Sequence, residues 1–203
     1  PPILQRIRDV FDLDCEPAQV QRVVSGPSSG GGPMRLIGAF DGFELAVRGI
    51  VGQQITVKAA RTLVGRLVER YGEPIDGAAP AGLERIFPSP ARIAALEPAS
   101  IAGLGIVGRR AAAIRSLAQA IVEGRLALEP RVPVDATIAA LQAIPGIGDW
   151  TAQYIAMRAL CWPDAFPAGD LAVLKALDAR TPAHARERAR AWQPWRAYAV
   201  MEL

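Results

Sequence analysis

Cysteine is scarce in this 203-residue chain. The two present, Cys15 and Cys161, lie far apart, and the pattern reads as reduced thiols of a cytosolic protein. No apolar run approaches the roughly 20 residues that a membrane span needs. The chain's start has neither the charged region nor the continuous apolar core of a signal peptide, so it is expected to be cytoplasmic and off the membrane. Nothing reads as a succession of alternating strands. Charge of one sign is also lacking: the net value is +3, which by itself says little about partners. Apolar residues are plentiful at 51%, too many for a disordered chain and enough for one or two compact subdomains with a core.

The rest of the sequence is organised around residues 141–160, LQAIPGIGDWTAQYIAMRAL, read as a helix-hairpin-helix. Pro145 discourages helix continuation, while Gly146 and Gly148 permit backbone conformations and close approaches that a β-carbon would block. The amides at the start of the following helix, backed by its dipole, suit an anion such as a nucleic-acid phosphate. A ligand-free αα-hairpin rich in glycine gives the same local pattern, and the flanks decide between the two.

Elsewhere, helical spacing predicts helices over residues 3–13 and 17–24, with a flexible SGPSSGGGP loop at 25–33. Asp41 with Glu44 resembles a capping box. After Gly49 and Gly52 comes GQQIT, then a long helix to Tyr71 closed by Gly72 as a left-handed cap. Ser89-Pro90 starts a short helix, and residues 104–108 form a second turn that faintly echoes the hairpin. Arg109, Arg110 and Arg115 follow, a solvated basic face or a set of phosphate contacts. Asp135 reads as the cap of the hairpin's first helix, and Thr181-Pro182 opens one last helix carrying Arg186, Arg188, Arg190, Trp192, Trp195 and Arg196, its tryptophans read as packing residues.

The stretch LQAIPGIGDWTAQYIAMRAL followed by PDAFPAGDLAVLKAL resembles the signature of the helix-hairpin-helix DNA glycosylases. Within that superfamily, GIGDWTAQY, GDLAVLK and WQPWRAYA are most similar to the alkylated-base glycosylases of the 3-methyladenine type II kind. FELAVRGIVGQQITVKAA and LGIVGRRAAAIRSLAQAI extend the likeness upstream, to Phe40. The resemblance implies an all-α glycosylase core of two helical subdomains with a DNA-binding cleft, without the family's N-terminal β-containing subdomain. The expected organisation is N-terminal helices at 1–24, a loop and lead-in at 25–39, a helical subdomain with GQQIT at 40–131, and the hairpin with the catalytic aspartate at 132–203.

It also implies roles. Asp170, read from spacing as a helix N-cap, matches the catalytic aspartate, whose carboxylate would stabilise the positive charge that grows on the deoxyribose as the base departs. Asp164 is a distant runner-up, and the lone His184 reads as surface. Trp150 stands where lyase-competent relatives carry a nucleophilic lysine, so the expected enzyme is monofunctional and leaves an abasic site. Trp150 and Tyr154 share a helix face, a core pair by spacing alone and a base pocket by resemblance. Gln53, Gln54 and Ile55 correspond to the element entering the minor groove, with Gln54 the first choice of plug and Ile55 its competitor. Gly146, Gly148 and Thr151 complete the expected DNA contacts, and the backbone carbonyls of Gln142, Ile144 and Ile147 could hold a structural metal ion. No organic cofactor is implied, and two cysteines cannot supply the four ligands of the iron–sulfur cluster some relatives carry.

The expected partner is double-stranded DNA with alkylated bases, bound by a monomer, and related sequences also occur fused to an alkyl-transfer and regulatory domain. Relatives usually carry another pocket aromatic just beyond the segment resembling YAVMEL, where this sequence stops. The competing readings are a non-catalytic helix-hairpin-helix DNA-binding module and an inactive truncated fragment.

Overall fold

Periodic apolar positions become helices through most of the chain. A computed structural model describes residues 2–24, 34–77 and 79–203. The 25–33 stretch read as a flexible loop lies outside the described residues. In chain order the helices are α1 (Pro2–Val10), α2 (Pro17–Val24), α3 (Gly42–Gly52), α4 (Val57–Tyr71), α5 (Pro90–Ala94), α6 (Pro98–Ala102), α7 (Gly108–Val122), α8 (Val134–Gln142), α9 (Asp149–Arg158), α10 (Leu171–Ala176), α11 (Pro182–Arg188) and α12 (Arg196–Glu202). The fold class is all-α. A two-residue antiparallel ladder, β1 (Glu73–Pro74) against β2 (Arg85–Ile86), is the one strand pairing among the described residues, and sequence patterning did not anticipate it.

The chain forms two compact units that do not follow the consecutive segments expected from sequence. One comprises Pro1–Gly42, Leu128–Ile138 and Gly148–Leu203; the other comprises Phe43–Ala127 and Ala139–Ile147. The first unit joins both ends of the chain because Asp12 acts as a hub. Its Oδ2 accepts from the Leu36 amide at 2.9 Å and from the Tyr198 hydroxyl at 2.8 Å. Asp9 pairs with Arg131 at 2.7 Å, and Arg158 donates to the Ile37 carbonyl at 2.7 Å. The N-terminal helices are thereby part of the same body as α9–α12.

In the second unit the core is aliphatic. Val47, Ile50 and Val51 of α3, Leu67 of α4, Ile93 of α5, Ile101 of α6, and Ile114 and Leu117 of α7 are fully buried, and α5 and α6 both pack on α7. Thr56 caps α4 by accepting from the Ala59 amide at 3.2 Å, and Ser89 caps α5 by accepting from the Arg92 amide at 3.3 Å, with Pro90 in the first turn.

Four local expectations are corrected. Helix α1 stops at Val10 and residues 11–14 turn, with Asp12 at φ +52°. Gly72 is extended (φ −67°, ψ 153°) rather than left-handed; glycine is needed there because a β-carbon would lie 2.5 Å from the carbonyl oxygens of Val68 and Ile86. Asp135 lies inside the first turn of α8 rather than capping it, since the helix already starts at Val134. The single last helix is three pieces: α11, a 3₁₀ turn at Ala189–Trp192, and α12. Thr181 does cap α11, accepting from the His184 amide at 3.2 Å.

Candidate active site

Asp170 owes its place to the apolar cluster beneath it. Phe166, Ala168, Val173, Leu177, Ala179, Ala185 and Ala189 are buried together, with Leu174, Trp192 and Val200 packed against them. The irregular segment before α10 is thus pinned by Phe166 and Ala168, and the amide of Phe166 donates to Gln153 Oε1 of α9 at 2.9 Å. The chain then emerges at exposed Gly169, and half-buried Asp170 becomes the N-cap of α10.

Among the described residues, the carboxylate of Asp170 accepts from neutral donors. Oδ1 accepts from the amides of Ala172 (2.8 Å) and Val173 (3.4 Å), and Oδ2 accepts from the indole N–H of Trp150 at 2.7 Å. Three donors occupy three of the about four lone-pair directions of a carboxylate. Its charge is oriented, and none of these donors cancels it. Trp150 also lies flat on Tyr154, with ring centroids 5.5 Å apart and planes 3° apart, and both rings are half-buried. The spacing of α9 therefore brings Trp150, Tyr154 and Asp170 into one constellation, joined through a hydrogen bond between residues distant in sequence.

Asp164 answers a different need. Arg196 holds it with a two-pronged contact, both prongs at 2.7 Å, while its own guanidinium lies 5.9 Å from the Phe166 ring centroid. Side-chain exposures of 16% and 14% make this a largely buried, neutralised pair, which removes Asp164 as a catalytic candidate. The remaining arginines of the C-terminal segment are engaged too: Arg186 with Asp149 at 2.8 Å, Arg188 with the Leu177 carbonyl, and Arg190 with Glu187 at 3.1 Å.

At the hairpin turn, the two glycines differ. Gly146 has φ +98°, and a β-carbon there would lie 3.1 Å from Ala113 Cβ. Glycine at 146 serves the fold. Gly148, the N-cap of α9, is extended (φ −90°, ψ −179°) and exposed, and a β-carbon would meet nothing within 4 Å. Neither strain nor intramolecular crowding requires glycine there, so of the reasons read from sequence only the close approach of a ligand applies at that position. As the N-cap of α9, Gly148 brings no side chain to accept from the helix's first amides. Thr151, one of the expected DNA contacts, is buried in the first turn of α9.

The GQQIT loop between α3 and α4 belongs to the second unit, as do Gly146, Gln142, Ile144 and Ile147. Gln53 donates through Nε2 to the Gly146 carbonyl at 3.0 Å, which makes it a loop tether. Gln54 is exposed and held at φ +54°, a conformation costing a side-chain-bearing residue about 1–3 kcal/mol. Ile55 is half-buried. Arg110, expected on a basic surface, is buried at 6% exposure; Arg109 is exposed and Arg115 half-buried.

A sequence model of the HhH-GPD superfamily of base excision DNA repair proteins matches residues 47–194, a span containing the hairpin, the GQQIT loop and Asp170. The chain belongs to this superfamily. Among HhH-GPD relatives, DNA-3-methyladenine glycosylase 2 of Escherichia coli (strain K12) is 36% identical over 201 residues, which cover 98% of this chain and 70% of that protein. The probable bifunctional transcriptional activator/DNA repair enzyme AlkA of Mycobacterium tuberculosis (strain ATCC 25618 / H37Rv) is also 36% identical, over 98% of this chain and 41% of that protein. The apo crystal structure of the 8-oxoguanine glycosylase/lyase of Clostridium acetobutylicum superposes with a TM-score of 0.81 at 18% identity, covering 97% of this chain and 72% of that one. At that identity the likeness speaks for the HhH-GPD fold alone.

Two features of this HhH-GPD site escaped sequence reasoning. The indole-to-carboxylate bond joins residues 20 positions apart and depends on how the Pro/Gly stretch folds back. Gln153 had a signal, since a polar residue one position from the Tyr154 face sits where α9 meets that stretch, but nothing in the pattern named its acceptor role.

Proposed function

We propose that this protein is a monofunctional DNA glycosylase that hydrolyses the N-glycosidic bond of alkylated purines in double-stranded DNA, of the 3-methyladenine and 7-methylguanine type. The observation that carries the reading is the Trp150–Tyr154–Asp170 constellation: stacked electron-rich rings beside an oriented, un-neutralised carboxylate.

Each part has chemical work in that reaction. A flipped alkylated purine is cationic, and an indole or phenol ring attracts it by about 0.5–2 kcal/mol per contact. The base leaves readily because it already carries the positive charge, so the site needs no strong general acid. What must be stabilised is the positive charge developing at C1′, and Asp170 supplies a fixed negative charge that needs no reorganisation. The remaining acceptor direction of the carboxylate can orient the attacking water. Trp150 occupies the place where a lysine would form a Schiff base, and an indole cannot do so.

DNA recognition is assigned to the hairpin and to GQQIT. Gly148, exposed and without a side chain at the start of α9, offers a phosphate a close approach to backbone. Gln54 reaches outward as the residue that fills the gap left by the flipped nucleotide, with Gln53 behind it as its tether. The carbonyls of Gln142, Ile144 and Ile147 are neutral oxygens around the C-terminal end of α8, where the helix dipole is negative. That donor class fits a hard cation, which would supply a structural bridge to a phosphate. The mycobacterial relative, 41% of which this chain covers, is named a probable bifunctional transcriptional activator/DNA repair enzyme.

The test is base release from methylated duplex DNA, followed by strand analysis with and without alkali. Free 3-methyladenine or 7-methylguanine, with breaks appearing only after alkali, is the expected result. Breaks without alkali, or a borohydride-trapped protein–DNA adduct, would contradict the monofunctional reading, and salt-sensitive binding without base release would leave a binding module.

A further inference from the structure

Arg110 is nine-tenths buried, yet among the described residues its charged group meets backbone oxygens rather than a carboxylate. One guanidinium nitrogen donates to the Val51 carbonyl at 3.4 Å, and the other donates to the Gln53 carbonyl. Nε has no hydrogen-bond partner among the described residues. Val51 belongs to the last turn of α3, which ends at Gly52, and its carbonyl is among those a helix C-terminus leaves without an intrahelical donor. A cation there also complements the negative end of the helix dipole. Arg110 is thus a cap on α3 supplied by α7, and its planar fork reaches two carbonyls where an ammonium would act as a single point charge.

The cap leads directly into the GQQIT loop. Gln54 keeps its left-handed conformation only if the residues on each side of it are fixed. Before it, Gln53 is fixed twice, by Arg110 at its carbonyl and by its own side chain on the Gly146 carbonyl at 3.0 Å. After it, Thr56 is locked as the N-cap of α4. The same start of α7 lies against Gly146, since a β-carbon there would crowd Ala113 Cβ at 3.1 Å and touch the Arg109 carbonyl at 3.5 Å.

We propose that Arg110 is a positioning residue for duplex DNA: it fixes the 53–55 loop from within the second unit and so holds the Gln54 side chain outward for insertion. This rests on the reading of Gln54 as the residue that fills the gap. Such a role matters only where a base must be replaced in a stack, which makes duplex dependence the readout. A purely structural arginine would affect every substrate alike.

The experiment measures single-turnover base release from one 7-methylguanine strand, alone and paired, for Arg110→Met, Arg110→Lys, Gln54→Ala and the Arg110→Met/Gln54→Ala double variant. A 2-aminopurine beside the lesion reports flipping by its fluorescence. The expected result for both Arg110 variants is a loss of about tenfold or more on duplex, with single-strand release within about twofold. The flipping signal falls in parallel, and the double variant is no slower than the slower single. Equal losses on both substrates, or no loss on duplex, would overturn the proposal. A duplex-selective loss in the Arg110 variants but not in Gln54→Ala would support Arg110 as the anchor of the loop and overturn Gln54 as its inserting side chain. If Arg110→Met does not fold, as judged by its thermal melt, Arg110→Lys carries the test, because it keeps the charge and loses the fork.

Discussion

Two aspartates six positions apart, Asp164 and Asp170, flank the same buried Phe166 and are put to opposite uses. Asp164 receives both prongs of Arg196, is 14% exposed, and ends as half of a neutral pair. Asp170 receives only amide and indole N–H groups, which orient it and leave its charge in place. A carboxylate neutralised by a guanidinium ties α12 to the segment before α10. One held by neutral dipoles is available to a cation that arrives from outside. The difference supports the proposal that assigns the chemistry to Asp170, although both residues are acidic, partly buried and close in sequence.

Several substitutions would break or sharpen this contrast. The largest effect on stability is expected for Asp164→Asn, which strands the Arg196 charge; allowing for partial exposure, urea denaturation should show a loss of about 2–3 kcal/mol. Activity per folded molecule should be retained. Trp150→Phe keeps the stack on Tyr154 but removes the N–H from Asp170, so kcat should fall about tenfold with KM little changed, as expected for a hydrogen bond to a charged group. A rise in KM at constant kcat would mean that Trp150 contributes only stacking.

The hairpin glycines repeat the contrast between fold and ligand on a smaller scale. Gly146→Ala forces a β-carbon into a positive-φ site and should destabilise by more than about 1 kcal/mol in thermal or chemical denaturation. Gly148→Ala should leave stability within about 0.5 kcal/mol while weakening duplex affinity severalfold in a titration. Equal behaviour of the two alanines in both measurements would erase the distinction. The smallest effect concerns Cys161, whose thiol is pushed up to about 11, first by burial and then by Asp9 and Asp12. A raised value keeps the thiol protonated, so only about 0.1% is thiolate at pH 8, and alkylation of the folded protein at Cys161 should be far slower than of the unfolded chain.

Much of this was readable in the sequence, because local rules govern the relevant pieces. The Pro-Gly-Ile-Gly turn, the cap at Asp170, the cap at Ser89 and the one-turn spacing of Trp150 and Tyr154 all follow from short-range chemistry. What could not be read depends on how distant segments meet. Arg109 and Arg110 are adjacent and alike in sequence, yet one is exposed and the other is buried as a cap on α3. The last helix breaks after Arg188, whose side chain turns to the Leu177 carbonyl. The N-terminal helices join the C-terminal segment through Asp12 and Tyr198, a bond between residues 186 positions apart that no periodicity could reveal.

The most direct test of the central claim is single-turnover release of 7-methylguanine from duplex DNA by Asp170→Asn and Asp164→Asn side by side, each at the same folded concentration. Asparagine is itself a good N-cap, so Asp170→Asn should keep its fold while losing the charge. The expected result is a loss of about 100-fold or more for Asp170→Asn and near wild-type release for Asp164→Asn. Equal rates for the two variants, or a larger loss in Asp164→Asn than in Asp170→Asn, would contradict it.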